Sequence, residues 1–138
     1  MPNPAAAISA GRRERALGNL EAARSFYCEA AQAYFRENNQ LAYAHTIRHI
    51  ADMYLDESNY GAAPPLYEEA LEIYRGDLGT KVLDLANTIR PYALLNEATD
   101  NPALARELWR EAGNLYASLR LAAGIEECNA HLEHLGAN

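Results

Sequence analysis

His45 and His49 are the residues of this 138-residue chain whose spacing comes nearest to a metal site. Four residues separate them, so on one helix their imidazoles would project from the same side and could share a zinc ion, with Asp52 one turn further. No general-base glutamate stands between them, however, and spacing indicates no third ligand. We therefore expect no metal and interpret both as exposed groove histidines. His131 and His134 are predicted to be solvated.

The two thiols offer little nucleophilic chemistry. Cys28 and Cys128 are far apart in sequence, form no Cys-x-x-Cys motif, and are typical of reduced core residues. No histidine is placed by a motif to activate Cys28. The glycine-containing segment 76–79 is typical of a helix stop and not of a phosphate loop. We predict that the protein is not an enzyme and needs no cofactor.

Composition narrows the classes of function that remain. The formal net charge of −7 disfavours nucleic acid as a partner, because an acidic chain is repelled by phosphate backbones. No apolar stretch approaches about 18 residues, and the N-terminus lacks the pattern of a signal peptide. These features predict a cytoplasmic protein without a membrane partner. Alanine is the commonest residue and valine occurs once, which favours an all-α fold.

The elements that would position these side chains follow from an internal repeat. Three segments beginning at Asn19, Asn59 and Asn101 share a residue type at offsets 4, 8, 10, 11 and 15. Offsets 4, 8, 11 and 15 fall on one face of a helix, so each segment is predicted to be an amphipathic helix. The recurring residues are Ala23, Ala63 and Ala105; Tyr27, Tyr67 and Trp109; Glu29, Glu69 and Glu111; Ala30, Ala70 and Ala112; and Tyr34, Tyr74 and Tyr116.

A second helix is predicted to precede each of these, giving a repeating hairpin. Residues 44–51 and 86–93 both read Ala-x-Thr-Ile-Arg-x-x-Ala, 42 residues apart, and Ala7, Ala10 and Gly11 form a weaker first copy. We expect a single all-α domain over residues 1–138, with Asn59 and Asn101 as helix N-caps. The predicted helices span residues 4–17, 19–36, 41–56, 60–75, 81–97, 101–118 and 122–136.

This pattern resembles the tetratricopeptide repeat, in the 42-residue variety found in kinesin light chains. The resemblance implies a right-handed α-solenoid of three hairpins. The last helix carries Glu126, Glu127 and Glu133 off its apolar face, which predicts a capping helix with that side in water or, alternatively, the first helix of an incomplete repeat. Pro91 departs from the pattern and is expected to kink or locally open its helix. The residues that carry the resemblance are Ala51, Ala93, Tyr67, Trp109, the alanines at 63, 70, 105 and 112, segment 63–71, and Leu78-Gly79. The implied repeats are 4–38, 41–77 and 81–118, with the cap at 122–136.

The resemblance also implies a function, because the leading helices of such a stack line a concave groove that holds an extended peptide or a partner helix. Arginines recur on this face, and guanidinium groups bind carboxylates through paired hydrogen bonds, so we predict an acidic or C-terminal peptide of another protein as the partner. Alternatively, Arg48 only pairs with Asp52 at i,i+4. The predicted groove residues are Arg12, Arg15, His45, Arg48, His49, Asp52, Asn87, Arg90 and Leu94.

Self-association is the main alternative to a peptide-binding role. A stack rich in alanine and tyrosine could pair as a homodimer through its groove or its terminal faces, and residues 4–10 carry little charge. A catalytic helical bundle would need titratable side chains that converge in one pocket. The sequence offers only His45, His49 and Asp52 for that purpose.

Overall fold

The computed structural model of the protein describes residues 3–136, and this range is helical with no strand. The all-α prediction is confirmed, and six of the seven helices begin and end within about two residues of their predicted bounds, the usual uncertainty for helix ends. The helices are α1 Pro4–Ala16, α2 Leu20–Arg36, α3 Gln40–Asp56, α4 Ala63–Gly76, α5 Val82–Ala98, α6 Pro102–Ser118 and α7 Ala122–Leu135.

Short polar segments start and stop these helices. The Asn3 side chain accepts hydrogen bonds from the amides of Ala5 and Ala6 at the start of α1, which satisfies two otherwise unpaired donors. Positive-φ residues follow α2, α3, α5 and α6, and each ends its helix by turning the chain sharply. Those four residues are Asn38, Ser58, Asp100 and Arg120.

The prediction of Asn59 as an N-cap is wrong, because α4 begins at Ala63 after a turn over residues 60–62. Pro64 and Pro65 occupy the first turn of α4, where proline lacks only an N–H that would have had no helical partner. Asn101 does stand at the N-cap position of α6, but its side chain donates to the Asn96 amide oxygen (3.2 Å) instead of capping the helix.

The chain divides into two compact units, Met1–Asp77 and Leu78–Asn138. In the first, α1 packs on α2, α2 on α3, and α3 on α4. Its core includes Ala23, Tyr27, Ile50 and Met53. Gly11 permits the close approach of α1 to α2, since a Cβ there would lie 3.1 Å from the Tyr27 ring.

In the second unit, α5 packs on α6 and α6 on α7. Trp109, Ile89, Leu95 and Cys128 are almost completely buried there. Sequence-order packing of this kind is typical of helical repeats. The recurring alanines at offsets 4 and 11 have no solvent exposure in either unit, namely Ala23, Ala30, Ala63, Ala70, Ala105 and Ala112.

Pro91 does not interrupt α5, which runs as one helix from Val82 to Ala98. Proline removes one backbone hydrogen bond and crowds the carbonyl four residues earlier, yet the helix continues on both sides of Pro91. Buried polar side chains one turn away bond to the same helix: the Thr88 hydroxyl donates to the Asp84 carbonyl (2.8 Å) and the Asn96 amide to the Tyr92 carbonyl (2.8 Å). The expected local opening is therefore absent from this part of the described chain.

Candidate functional site

Six of the nine predicted groove residues lie together on α1 and α3 of the first unit. The rings of His45 and His49 are in edge contact, with centroids 4.6 Å apart. Arg15 links the two helices, because its Nη2 lies 3.3 Å from Oδ2 of Asp56 at the end of α3. We call this group the α1–α3 cluster; it consists of Arg12, Arg15, His45, Arg48, His49 and Asp52.

Asp52 is the carboxylate of the α1–α3 cluster, and its side chain is only 15% exposed. Its Oδ1 accepts a hydrogen bond from the Tyr67 hydroxyl on α4 (2.6 Å), and its Oδ2 lies 3.0 Å from Nε of Arg48. Burial raises the pKa of Asp52, while Arg48 and the Tyr67 hydrogen bond oppose that rise. Asp52 thus ties α3 to α4 through Tyr67 and forms an ion pair with Arg48, whose buried Nε has no hydrogen-bond partner within residues 3–136. The i,i+4 pair considered from the sequence is present, and contact of Arg48 with a ligand stays a prediction.

His49 is held neutral at the centre of the α1–α3 cluster. Its ring lies nearly parallel to that of Tyr27, with an interplanar angle of 15° and centroids 6.0 Å apart. Burial, together with the charges of Arg48, His45, Arg15 and Arg12, lowers the pKa of His49 to about 3. Its buried Nδ1 has no hydrogen-bond partner within residues 3–136. His49 is therefore a poor proton acceptor surrounded by cations.

The guanidinium groups of the α1–α3 cluster outnumber the carboxylates that pair with them. Arg15 pairs with Asp56 and Arg48 with Asp52, whereas Arg12 has no ion pair with any residue of the described range. Arg12 is exposed, and so is the Asp56 side chain at 66%. The face consequently carries a surplus positive charge on a chain whose net charge is −7. An anion could bind there without displacing a buried group.

The other three predicted groove residues, Asn87, Arg90 and Leu94, lie on α5 of the second unit. The Asn87 Oδ1 accepts from the Tyr116 hydroxyl (2.7 Å), and Leu94 is half-buried. Arg90 donates from Nε and Nη2 to the two carboxylate oxygens of Glu127 on α7, at 2.6 and 2.8 Å. These hydrogen bonds lower the pKa of Glu127. Arg90 is therefore already paired with a carboxylate of its own chain.

Two predictions about α7 are wrong. Glu127 was expected to meet water, but it is partly buried against Arg90. His131 was expected to be solvated, but its ring stacks on Trp109 with centroids 4.1 Å apart, and its Nδ1 lies 2.8 Å from Oε2 of Glu97. The repeat contains a signal for this contact, because His49 follows Tyr27 by the same 22 residues and stacks on it in the same way. His134 is exposed, as predicted.

Neither thiol is set up as a nucleophile. Burial raises the pKa of Cys28, against the opposing charge of Arg24. Burial and the Glu127 charge raise the pKa of Cys128 to about 11. Both groups are therefore protonated near neutral pH. Within residues 3–136, no group of three or more histidine, cysteine, aspartate or glutamate side chains is arranged to hold a metal ion.

In comparisons with known proteins, no family model matches the sequence, and no curated protein matches it. The helices of the described range do not include one that combines the length and apolarity needed to cross a bilayer.

Proposed function

We propose that this protein is a cytoplasmic interaction module of the tetratricopeptide type, without enzymatic activity, that binds a peptide or helix of another protein. We propose that its three helical hairpins form a right-handed α-solenoid closed by α7. Sequence-order packing and the buried, recurring alanines support the proposal, because a single hairpin cannot bury its apolar stripe alone.

The α1–α3 cluster is the observation that carries the proposed function. It concentrates three guanidinium groups on α1 and α3 of an acidic chain, with two carboxylates against them. Guanidinium forms charge-assisted hydrogen bonds with carboxylates, so an acidic segment or a C-terminal carboxylate is the favoured ligand. The exposed ion pair between Arg15 and Asp56 contributes about 0–1 kcal/mol and can exchange its carboxylate at little cost.

A fluorescence anisotropy titration tests this proposal. The probe is a fluorescein-labelled octapeptide, Gly-Ser-Gly-Asp-Leu-Glu-Asp-Leu, with a free C-terminal carboxylate. We expect Arg12→Ala and Arg15→Ala each to weaken binding by about tenfold, because each removes a charged hydrogen-bond donor. Arg13→Ala is the matched control, since Arg13 is an exposed arginine of α1 outside the α1–α3 cluster.

Equal weakening by Arg12→Ala and Arg13→Ala would show that the peptide responds only to overall charge, and the assigned face would be wrong. Replacing the acidic residues of the probe by lysine should abolish binding. Light scattering of the free protein separates this role from the homodimer alternative, in which the measured mass rises to twice that of the monomer as the protein concentration increases.

A further inference from the structure

A cleft between α2, α3 and α4 lies on a different face of α3 from the α1–α3 cluster. Its volume is about 560 Å³, within the usual range of roughly 300–1,000 Å³ for ligand sites. Most of its lining is aliphatic or aromatic, and Gln32 and Arg36 are its most polar side chains. We call it the α2–α4 cleft; residues that line it include Cys28, Phe35, Tyr43, Ile47, Ile50 and Leu66.

The apolar character of the α2–α4 cleft is a departure from the internal repeat. Phe35 is 66% exposed, and the matching positions of the other trailing helices hold Arg75 and Ala117. Cys28 likewise corresponds to Glu68 and Arg110. Since α4 and α6 pack on their neighbours without an aromatic or a thiol at these positions, folding does not require them in α2. The exposed Phe35 ring contacts the Tyr43 ring, with centroids 5.4 Å apart, and the two rings extend the apolar surface of the cleft.

A second cavity of about 290 Å³ adjoins the α2–α4 cleft and is acidic. Phe35 and Tyr43 line both cavities and form the wall between them. Glu69 and Glu72, one turn apart on α4, line the second cavity, and the Tyr43 hydroxyl donates to Glu69 (2.9 Å). Arg36 is the cation among the residues that line the cleft, and Arg24, which lies over the Tyr54 ring, is paired with Glu57, so Glu69 and Glu72 leave the two cavities with a net negative charge. A basic group next to an apolar group therefore complements the two cavities.

We propose that the α2–α4 cleft docks a segment of a partner protein in which an aliphatic or aromatic side chain lies next to a lysine or arginine. The apolar side chain enters the cleft, and the basic side chain reaches Glu69 and Glu72. The binding energy comes from burial of the apolar side chain, and the two carboxylates favour a partner segment whose neighbouring side chain is positively charged. The charge of this partner segment is opposite to that of the ligand of the α1–α3 cluster, so the same segment would not fill both sites.

Labelling of the Cys28 thiol measures occupancy of the α2–α4 cleft, because Cys28 lines it and is exposed, whereas Cys128 is buried. The probes are acetylated, amidated peptides Gly-Ser-Phe-Lys-Ser-Gly, Gly-Ser-Phe-Glu-Ser-Gly and Gly-Ser-Ala-Lys-Ser-Gly. Mass spectrometry locates a maleimide label and gives its rate of attachment. At twice its dissociation constant, the Phe-Lys peptide should slow labelling of Cys28 about threefold, by mass action. The other two peptides should protect less at equal concentration.

Substitutions separate the two parts of the proposed site. Glu72→Gln should weaken binding of the Phe-Lys peptide about threefold, which is equivalent to the loss of one exposed ion pair. Phe35→Ala should abolish protection of Cys28 without unfolding the protein, because Phe35 is exposed. Glu29→Gln is the matched control, an exposed glutamate of α2 that lines neither cavity. Equal or stronger protection by the Phe-Glu peptide would overturn the proposal, as would the absence of protection by all three. Arg12→Ala should leave this readout unchanged, so its result is separate from that of the α1–α3 cluster.

Discussion

Gly124 provides the sharpest test of how the second unit is packed. It lies in the first turn of α7, and a Cβ atom at this position would be 2.5 Å from Cγ and 2.8 Å from both Cδ atoms of Tyr116. The Tyr116 ring is 4% exposed, and its hydroxyl donates to Asn87 at 2.7 Å. Because the Tyr116 ring is buried and its hydroxyl is hydrogen-bonded, Gly124→Ala must displace α7 or break the hydrogen bond to Asn87.

The magnitude follows from two opposing effects. Alanine in a helix is favoured over glycine by about 0.5–1 kcal/mol, whereas forcing an extra carbon into a packed site costs about 1–3 kcal/mol. We expect Gly124→Ala to lower the free energy of unfolding by about 1–2 kcal/mol. For a chain of this length, that corresponds to a fall in Tm of about 3–8 °C.

Urea and thermal unfolding followed by circular dichroism measure this change. The matched control is Gly76→Ala at the end of α4, where the added Cβ would meet no described atom within 4 Å apart from its chain neighbours and the backbone of its own helix. This control should be neutral or more stable than the parent by up to about 1 kcal/mol. If Gly124→Ala matched or exceeded the parent in stability, the close approach of α7 to Tyr116 would be refuted.

Three further predictions concern charged groups. The free energy of unfolding should fall as pH drops from about 6.5 to about 3, because unfolded His49 binds a proton that folded His49 does not. His49 contributes at most about 1.4 kcal/mol per pH unit to this fall. Urea unfolding at stepped pH compares the parent with His49→Gln, and equal slopes of unfolding free energy against pH would contradict the prediction. Glu127→Gln should lower the free energy of unfolding by about 1 kcal/mol at pH 7 and leave it unchanged well below pH 4. The pKa of Glu127 is lowered in the folded protein, so its ion pair with Arg90 stabilises the fold only while the carboxylate is charged. An equal loss of stability at pH 3 would contradict this ion pair. Asp56→Asn should increase the affinity for the acidic octapeptide about threefold, because it frees Arg15 from its ion pair. Fluorescence anisotropy measures this affinity, and weaker binding would contradict the assigned face.

The sequence alone determined the helical elements and their buried stripes. Alanine at offsets 4 and 11, and an aromatic at offset 8, identified the buried face of each trailing helix because helical periodicity is a local property of the chain. The start of α4 was misplaced because the turn at residues 60–62 has no polar cap signal. The prediction of one domain over residues 1–138 stays a prediction, and its ends at residues 1–2 and 137–138 lie outside the described residues.

Only the tertiary structure decided which charged groups on different helices meet. Periodicity put Arg48 and Arg90 at matching positions of their helices, yet Arg48 pairs with Asp52 on its own helix and Arg90 with Glu127, 37 residues away. The α2–α4 cleft likewise depends on side chains from three helices. A repeat pattern specifies the face on which a residue lies, but its partner on another helix depends on how the helices pack, and electrostatic contacts of a few ångströms are sensitive to that packing.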